Sequence, residues 1–305
     1  MTPQASAAQA RLGVLEAVAA ATLYGSSGIF AVELFQLGVS PISVALFRML
    51  LGTAFLVLWA LAFRRRELRL RGRDALILLV GGGIPMAGFQ VVYQLSIDSV
   101  GVPTTVALLY LAPVFVVAAS APLLRERPTL LRVGLSFLVV AGVWLTVLGA
   151  DEVESTFGSR SLVWGVLAGA GYAGYTLFGR YASPRWGTVP TAVYGSLGAA
   201  LLLTATLPAL SPTLAMPEGG RAWGLLVVFA LLTITLASLL FFDALRRIEA
   251  SRVAVAAATE PVVAALLATI LLSQGLSPIG WFGIAVVAAG VAAVGFSDRS
   301  EKEAP

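Results

Sequence analysis

The chain contains no cysteine and no histidine, and only 12% of its 305 residues are charged. Without cysteine there is no disulfide framework, thiol nucleophile or thiolate metal site. Without histidine the commonest metal ligand, general base and neutral-pH proton switch are missing. Zinc proteases, Ser–His–Asp hydrolases and haem-ligating bundles are thereby excluded. A Gly-rich loop ending in Lys-Ser/Thr is absent as well, so ATP is not the energy source, and the sequence calls for no cofactor. The shortage of charge is more telling still. Soluble domains are about 25% charged and about 45–50% apolar, whereas this chain is 58% apolar with a mean hydropathy of +0.91. It has too few polar groups to cover a water-facing surface, so its first partner is a lipid bilayer. The net charge of +4 does not point to nucleic acid, because in a membrane protein a basic excess collects in cytoplasmic loops.

What the sequence does have is long apolar runs. A transmembrane helix needs about 20 of them in a row, and such windows fall near 13–33, 41–63, 75–97, 102–124, 129–149, 161–180, 189–208, 222–246, 253–272 and 277–296. Continuous runs of this length favour helices over a β-barrel, whose strands alternate over about 10 residues. Residues 1–28 imitate a secretory signal, with Arg11 before an Ala-rich stretch, but Glu16 interrupts the apolar region and the first span is read as uncleaved. Basic residues set the orientation. Six arginines from Arg64 to Arg73, then Arg125, Arg127, Arg132, Arg180, Arg185, Arg246, Arg247, Arg252 and the terminal Arg11, Arg299 and Lys302 put 17 of 20 on one side. Arg160 and Arg221 fall on the other side, with the acidic segment Asp151–Glu154. Both termini are therefore expected in the cytoplasm.

The sequence also repeats itself at an offset of 148 residues. Tyr24 falls on Tyr172, Phe30 on Phe178, Pro113-Val114 on Pro261-Val262, Leu123-Leu124 on Leu271-Leu272, and Ala141-Gly142-Val143 on Ala289-Gly290-Val291. The repeats divide the chain into 1–150 and 151–305. Five spans is an odd number, so the halves enter the membrane in opposite senses. The expected fold is all-α, with ten transmembrane helices in two inverted five-helix repeats. That architecture belongs to transporters, with a small-molecule substrate held near the midplane between the halves.

Two stretches carry a resemblance. Tyr110-Leu-Ala-Pro-Val-Phe115, Leu123-Leu-Arg-Glu-Arg-Pro-Thr129, Gly134 and Ala141-Gly142 resemble the first EamA-type repeat of the drug/metabolite transporter superfamily. Ala244-Leu-Arg-Arg-Ile-Glu-Ala-Ser-Arg-Val253, Glu260-Pro-Val-Val-Ala-Ala-Leu-Leu267 and Gly290-Val291 resemble the second. Within the superfamily the chain looks most like the YddG-type exporters of aromatic and other amino acids. The resemblance implies export of small zwitterionic metabolites by alternating access, without ATP and without enzymatic activity. The alternative within transport is a broad drug or nucleotide-sugar-like carrier; outside it, an intramembrane enzyme or a structural subunit. Two departures stand out. The acidic residue usual after the second Leu run is replaced by Ser273-Gln274, and Asp243 stands where a Tyr is common. No family role therefore passes to Asp243. The chain is expected as a monomer or weak homodimer.

Candidate site residues follow from what a bilayer penalises. Pro113 and Pro261 lie mid-span and related by the repeat, and each removes a backbone hydrogen bond; they are read as paired kinks, either hinges or static packing features. Pro85, beside Gly81-Gly82-Gly83, loosens the third span in the same way. Gly83, Ala87, Gln90, Gln94 and Asp98 share one face of that span, so Gln90 and Gln94 either wall a cavity or tie helices together. Tyr24, Tyr110, Tyr172 and Tyr175 lie deeper than an interfacial aromatic belt. Arg48 is about 10 Å inside its helix end, placed to bind a substrate carboxylate or to pair with Glu33 or Asp98. Glu260, next to Pro261, can meet a substrate ammonium, carry a proton or accept hydrogen bonds at the kink. Glu16 and Asp243 are expected in salt bridges with Arg246, Arg247 or Arg11. Spans 1, 3, 4, 6, 8 and 9 are expected around the cavity, with spans 5 and 10 peripheral.

Overall fold

The computed structural model describes residues 3–125, 129–149, 159–210, 214, 216–271 and 277–296, and among these the regular structure is entirely helical. Arg127, the acidic segment 151–154 and Ser273-Gln274 lie outside the described residues. In lipid, a helix is the element that satisfies its own backbone, and the helices assemble into ten transmembrane spans. Helices α1 (Pro3–Gly25) and α2 (Ser27–Gln36) form span 1, and α3 (Pro41–Phe63) forms span 2. Span 3 joins α4 (Gly72–Ile77), a π-helical segment (Leu78–Gly82) and the first part of α5 (Gly83–Leu109). Span 4 comprises the rest of α5 and α6 (Ala112–Leu124), and α7 (Leu130–Leu148) is span 5. The second half repeats the plan with α8 (Ser159–Trp186), α9 (Thr188–Leu210), then α10 (Gly219–Ala230), a π segment (Leu231–Leu236) and α11 (Ala237–Arg247) as span 8. Span 9 is α12 (Ala250–Ala257) with α13 (Thr259–Leu271), and span 10 is α14 (Pro278–Phe296).

The turn between spans 3 and 4 lies within helical backbone rather than in the loop expected near residues 98–101. Nine residues of straight α-helix cover about 13 Å, yet Ser96 Oγ and Thr105 Oγ1 are 2.8 Å apart. The chain therefore doubles back between them, and the two hydroxyls clasp the hairpin. Between spans 1 and 2, Gly38 takes a positive φ of 80°. Ser40 then caps α3 by accepting from the Ser43 amide at 3.2 Å, with Pro41 in the first turn; both are favoured helix-start positions.

The mid-span prolines stand at breaks rather than inside kinked helices. Pro113 and Pro261 fall in the first turns of α6 and α13, where proline's fixed φ suits a helix start. The 148-residue offset carries the break at Tyr110-Leu111 onto the break at Ala258. Span 1 is also interrupted, at Ser26, but its repeat partner span 6 runs unbroken. Pro85 follows a wider turn: its ring would conflict with a regular turn before it, and that turn is the π segment Leu78–Gly82. Span 8 reaches the same shape without proline. Thr233 and Ser238 hydroxyls there bond back to the carbonyls of Phe229 and Ile234, a contact that bends helices.

Packing follows the glycines. A Cβ on Gly198 of span 7 would run into the backbone of Leu79, and one on Gly283 of span 10 into the backbone of Thr146 in span 5. These are backbone-to-backbone crossings that small residues permit in membranes. Spans 5 and 10 pair with each other at the edge of the bundle, as expected, and Trp281 and Phe282 of span 10 are exposed. The main buried core draws on all ten spans, including Met49 and Leu56 of span 2 and Val193 and Leu203 of span 7.

Candidate functional site

A small cavity lies where residues of the two halves meet. Span 1 contributes Tyr24 and Ser27, span 2 Arg48, span 3 Met86, Phe89, Gln90 and Tyr93, span 6 Tyr172 and Tyr175, span 8 Thr233 and Ile234, and span 9 Glu260. Both charges on its wall are deeply buried, Arg48 at 3% and Glu260 at 5% exposure. A charge so placed is costly in a membrane interior and is kept there for use.

Glu260 sits at the break of span 9 because Pro261 forces that break. Its carboxylate accepts from the Tyr110 hydroxyl at 2.9 Å, and the same hydroxyl lies 2.8 Å from the Ala257 carbonyl oxygen. Arg48 extends toward the π segment of span 8. Its Nε donates to Thr233 Oγ1 at 2.9 Å, and its guanidinium carbon lies 4.1 Å from the centre of the Phe229 ring. Its Nη1 is buried without a protein partner. The pairing expected with Glu33 or Asp98 is not formed. Glu33 is bound to Arg221 of span 8, Asp98 is exposed, and Arg48 points inward because the π bulge presents a hydroxyl at its own depth.

The tyrosines form one wall. Tyr24 and Tyr175 hydroxyls meet at 3.4 Å, and the Tyr175 ring stacks on Phe241 at 5.3 Å between centroids. Tyr172 packs on Phe89 at 5.5 Å and on Phe241 at 5.9 Å, leaving its hydroxyl unbonded. Gln90 faces the cavity with an unpartnered Oε1. Gln94 is fully buried but off the cavity, with neither amide atom bonded to protein, because four residues advance a helix by about 6 Å and about 40° past a full turn. Tyr110 of span 4 reaches the cavity only through Glu260, and span 2, through Arg48, lines the wall where span 4 was expected to. Ser27 lines the cavity from the helix face it shares with Tyr24, whereas Tyr93 and Thr233 line it without a signal strong enough to single them out; Tyr93 is one turn from Gln90, and Thr233 is lost in the Leu-Leu-Thr-Ile-Thr-Leu run.

Beyond the aromatic wall a polar cluster ties span 1 to span 8. Arg247 Nε donates to Glu16 Oε2 at 2.9 Å and to Asp243 Oδ2 at 3.1 Å. Thr188 of span 7 donates to Asp243 Oδ1 at 2.7 Å. The pairs expected for Glu16 and Asp243 are thus present, with Arg247 serving both. At the other end of the same two spans Arg221 meets Glu33. Among the described residues no group of acidic side chains is arranged to hold a metal ion.

The EamA-like transporter family matches residues 11–148 and again 159–296. The chain belongs to the EamA-like transporter family. It is a multi-pass membrane transporter within the drug/metabolite transporter superfamily, and not an enzyme. Among similar proteins, the threonine/homoserine exporter RhtA of Escherichia coli is 30% identical over 284 residues, covering 90% of this chain and 88% of its own. The uncharacterised inner membrane transporter YicL of Salmonella typhimurium is 25% identical over 303 residues, covering 96% and 98%. A solved crystal structure at 20% identity superposes with a TM-score of 0.78, covering 96% of this chain and 99% of that one, which speaks to the fold alone. These matches support the superfamily but not the YddG-type aromatic-exporter subtype.

Proposed function

We propose that the protein exports small zwitterionic amino acids across a bacterial inner membrane, with both termini in the cytoplasm and the substrate held in the central cavity. One observation carries the reading: a buried cation and a buried anion, Arg48 and Glu260, face one cavity from spans 2 and 9. An amino acid presents a carboxylate and an ammonium, and burying it demands a partner for each. The unpartnered Nη1 of Arg48 suits the carboxylate, and Glu260 suits the ammonium. Gln90 and Tyr172, whose Oε1 and hydroxyl are free, supply hydrogen bonds, and Tyr24, Tyr172 and Tyr175 supply ring faces. A polar side chain finds Ser27 and Thr233 on the same wall; the threonine/homoserine specificity in RhtA's name agrees with that chemistry. A nucleotide sugar would need several cations, and among the described residues Arg48 is the one basic side chain on the cavity wall.

Purified protein in liposomes separates the alternatives. L-Threonine should be transported, whereas threonine methyl ester, lacking the carboxylate, and 3-hydroxybutyrate, lacking the ammonium, should not. Arg48→Gln should narrow the gap between threonine and its ester, and Glu260→Gln the gap between threonine and the hydroxy acid. Equal transport of all three compounds by the wild-type protein would defeat the zwitterion reading.

A further inference from the structure

The break in span 9 and the cavity carboxylate compete for one hydrogen. Pro261 has no N–H to offer the Ala257 carbonyl four residues earlier. Tyr110 brings its hydroxyl to 2.8 Å from that carbonyl oxygen and 2.9 Å from Glu260 Oε2. The neighbouring carbonyl of Ala256 is met by the Thr259 hydroxyl at 2.6 Å. Tyr110, however, has two acceptors and a single hydrogen. When Glu260 is an anion the charge-assisted bond is the stronger, and the carbonyl goes unserved. When Glu260 carries a proton, its own O–H donates to the phenol oxygen and the phenol donates to Ala257; every group is then satisfied. A substrate ammonium on the carboxylate shifts the hydrogen the same way.

We propose that Tyr110 is a positioning residue that couples the charge on Glu260 to the break in span 9. A cation on Glu260, whether proton or ammonium, releases the phenol hydrogen to Ala257 and steadies the break; its departure loosens it. The ammonium arm rests on the amino-acid reading above, and the proton arm does not. The other charged and titratable groups around Glu260 are Arg48, already bonded to Thr233, and the phenols of Tyr24, Tyr93, Tyr172 and Tyr175. None of them is a second carboxylate. The other repeat has no such device, since the position equivalent to Tyr110 is Ala258.

Hydrogen–deuterium exchange of the full-length protein in nanodiscs, corrected for intrinsic rates, tests the coupling at residues 258–262. In the wild type, acidification or added L-threonine should slow exchange there by about tenfold, the scale of one buried hydrogen bond regained. Tyr110→Phe should exchange fast under all conditions. Glu260→Gln, whose amide donates to the phenol as a protonated carboxyl does, should exchange slowly at every pH. A wild-type response to pH in Tyr110→Phe, or a retained pH response in Glu260→Gln, would overturn the proposal. Should L-threonine do nothing while the pH pattern holds in all three proteins, the amino-acid reading fails and the coupling stands.

Discussion

Arg48 lies about 10 Å inside the end of its helix, and its hydrogen bond to Thr233 and ring contact with Phe229 account for only part of its donors. The residue was legible in the sequence as an ionisable group inside a span. Its partner was not, because nothing in Leu231–Leu236 reveals that the helix widens there and turns Thr233 toward span 2. Glu260 was easier to read, since a carboxylate beside a repeated mid-span proline has little reason to face lipid. Glycine is the other residue on which the site depends. Gly198 lies directly against the Leu79 backbone, where spans 3 and 7 cross. Gly198→Ala is expected to cost about 1–3 kcal/mol through overpacking, seen as a fall in Tm of several degrees. An unchanged Tm would mean that the crossing yields without strain.

The inverted pair of proline-marked interruptions was visible at the level of whole helices as matching letters 148 positions apart. The sequence pattern suggested kinks; the structure has helix ends, because a proline in a first turn escapes the conflict it would suffer in an interior. Each break leaves two short rigid rods joined at a few free dihedrals. Pro113→Ala and Pro261→Ala restore an N–H and allow the rods to fuse. Transport rates should fall in both variants while equilibrium binding of L-threonine stays within a few-fold of wild type, measured side by side in liposomes and by calorimetry. Undiminished rates in both would reduce the breaks to packing features. The unbroken span 6 opposite the interrupted span 1 was not foreseeable, since Ser26 and Gly174 offer no contrast in helix-breaking strength sufficient to decide it.

For the molecule as a whole, the spans and their duplication were readable because lipid leaves hydropathy so few solutions. The fold-back between spans 3 and 4 was readable near residues 98–101, but its helical backbone and the hydroxyl clasp of Ser96 and Thr105 were not. The arginine asymmetry remains the basis for the orientation. The chain has no cysteine, so single substitutions report it cleanly. Glu67→Cys should be labelled only from the cytoplasm, and Ser155→Cys, beyond the described residues, only from the opposite side. Labelling of both from one side would remove the orientation and the proposed direction of export with it.

Spans 1 and 8 are stapled at both ends, but by clasps with different access to water. Arg221 and Glu33 have side chains 70% and 34% exposed, whereas Arg247 and Glu16 are 18% and 12% exposed. Dissolved ions screen exposed charges over about 8 Å at physiological strength and reach buried ones far less. Salinity therefore acts on one clasp and spares the other, so a medium rich in salt tilts the molecule toward opening at the Glu33 end. Transport should vary with ionic strength in the wild type and lose that variation in Glu33→Gln.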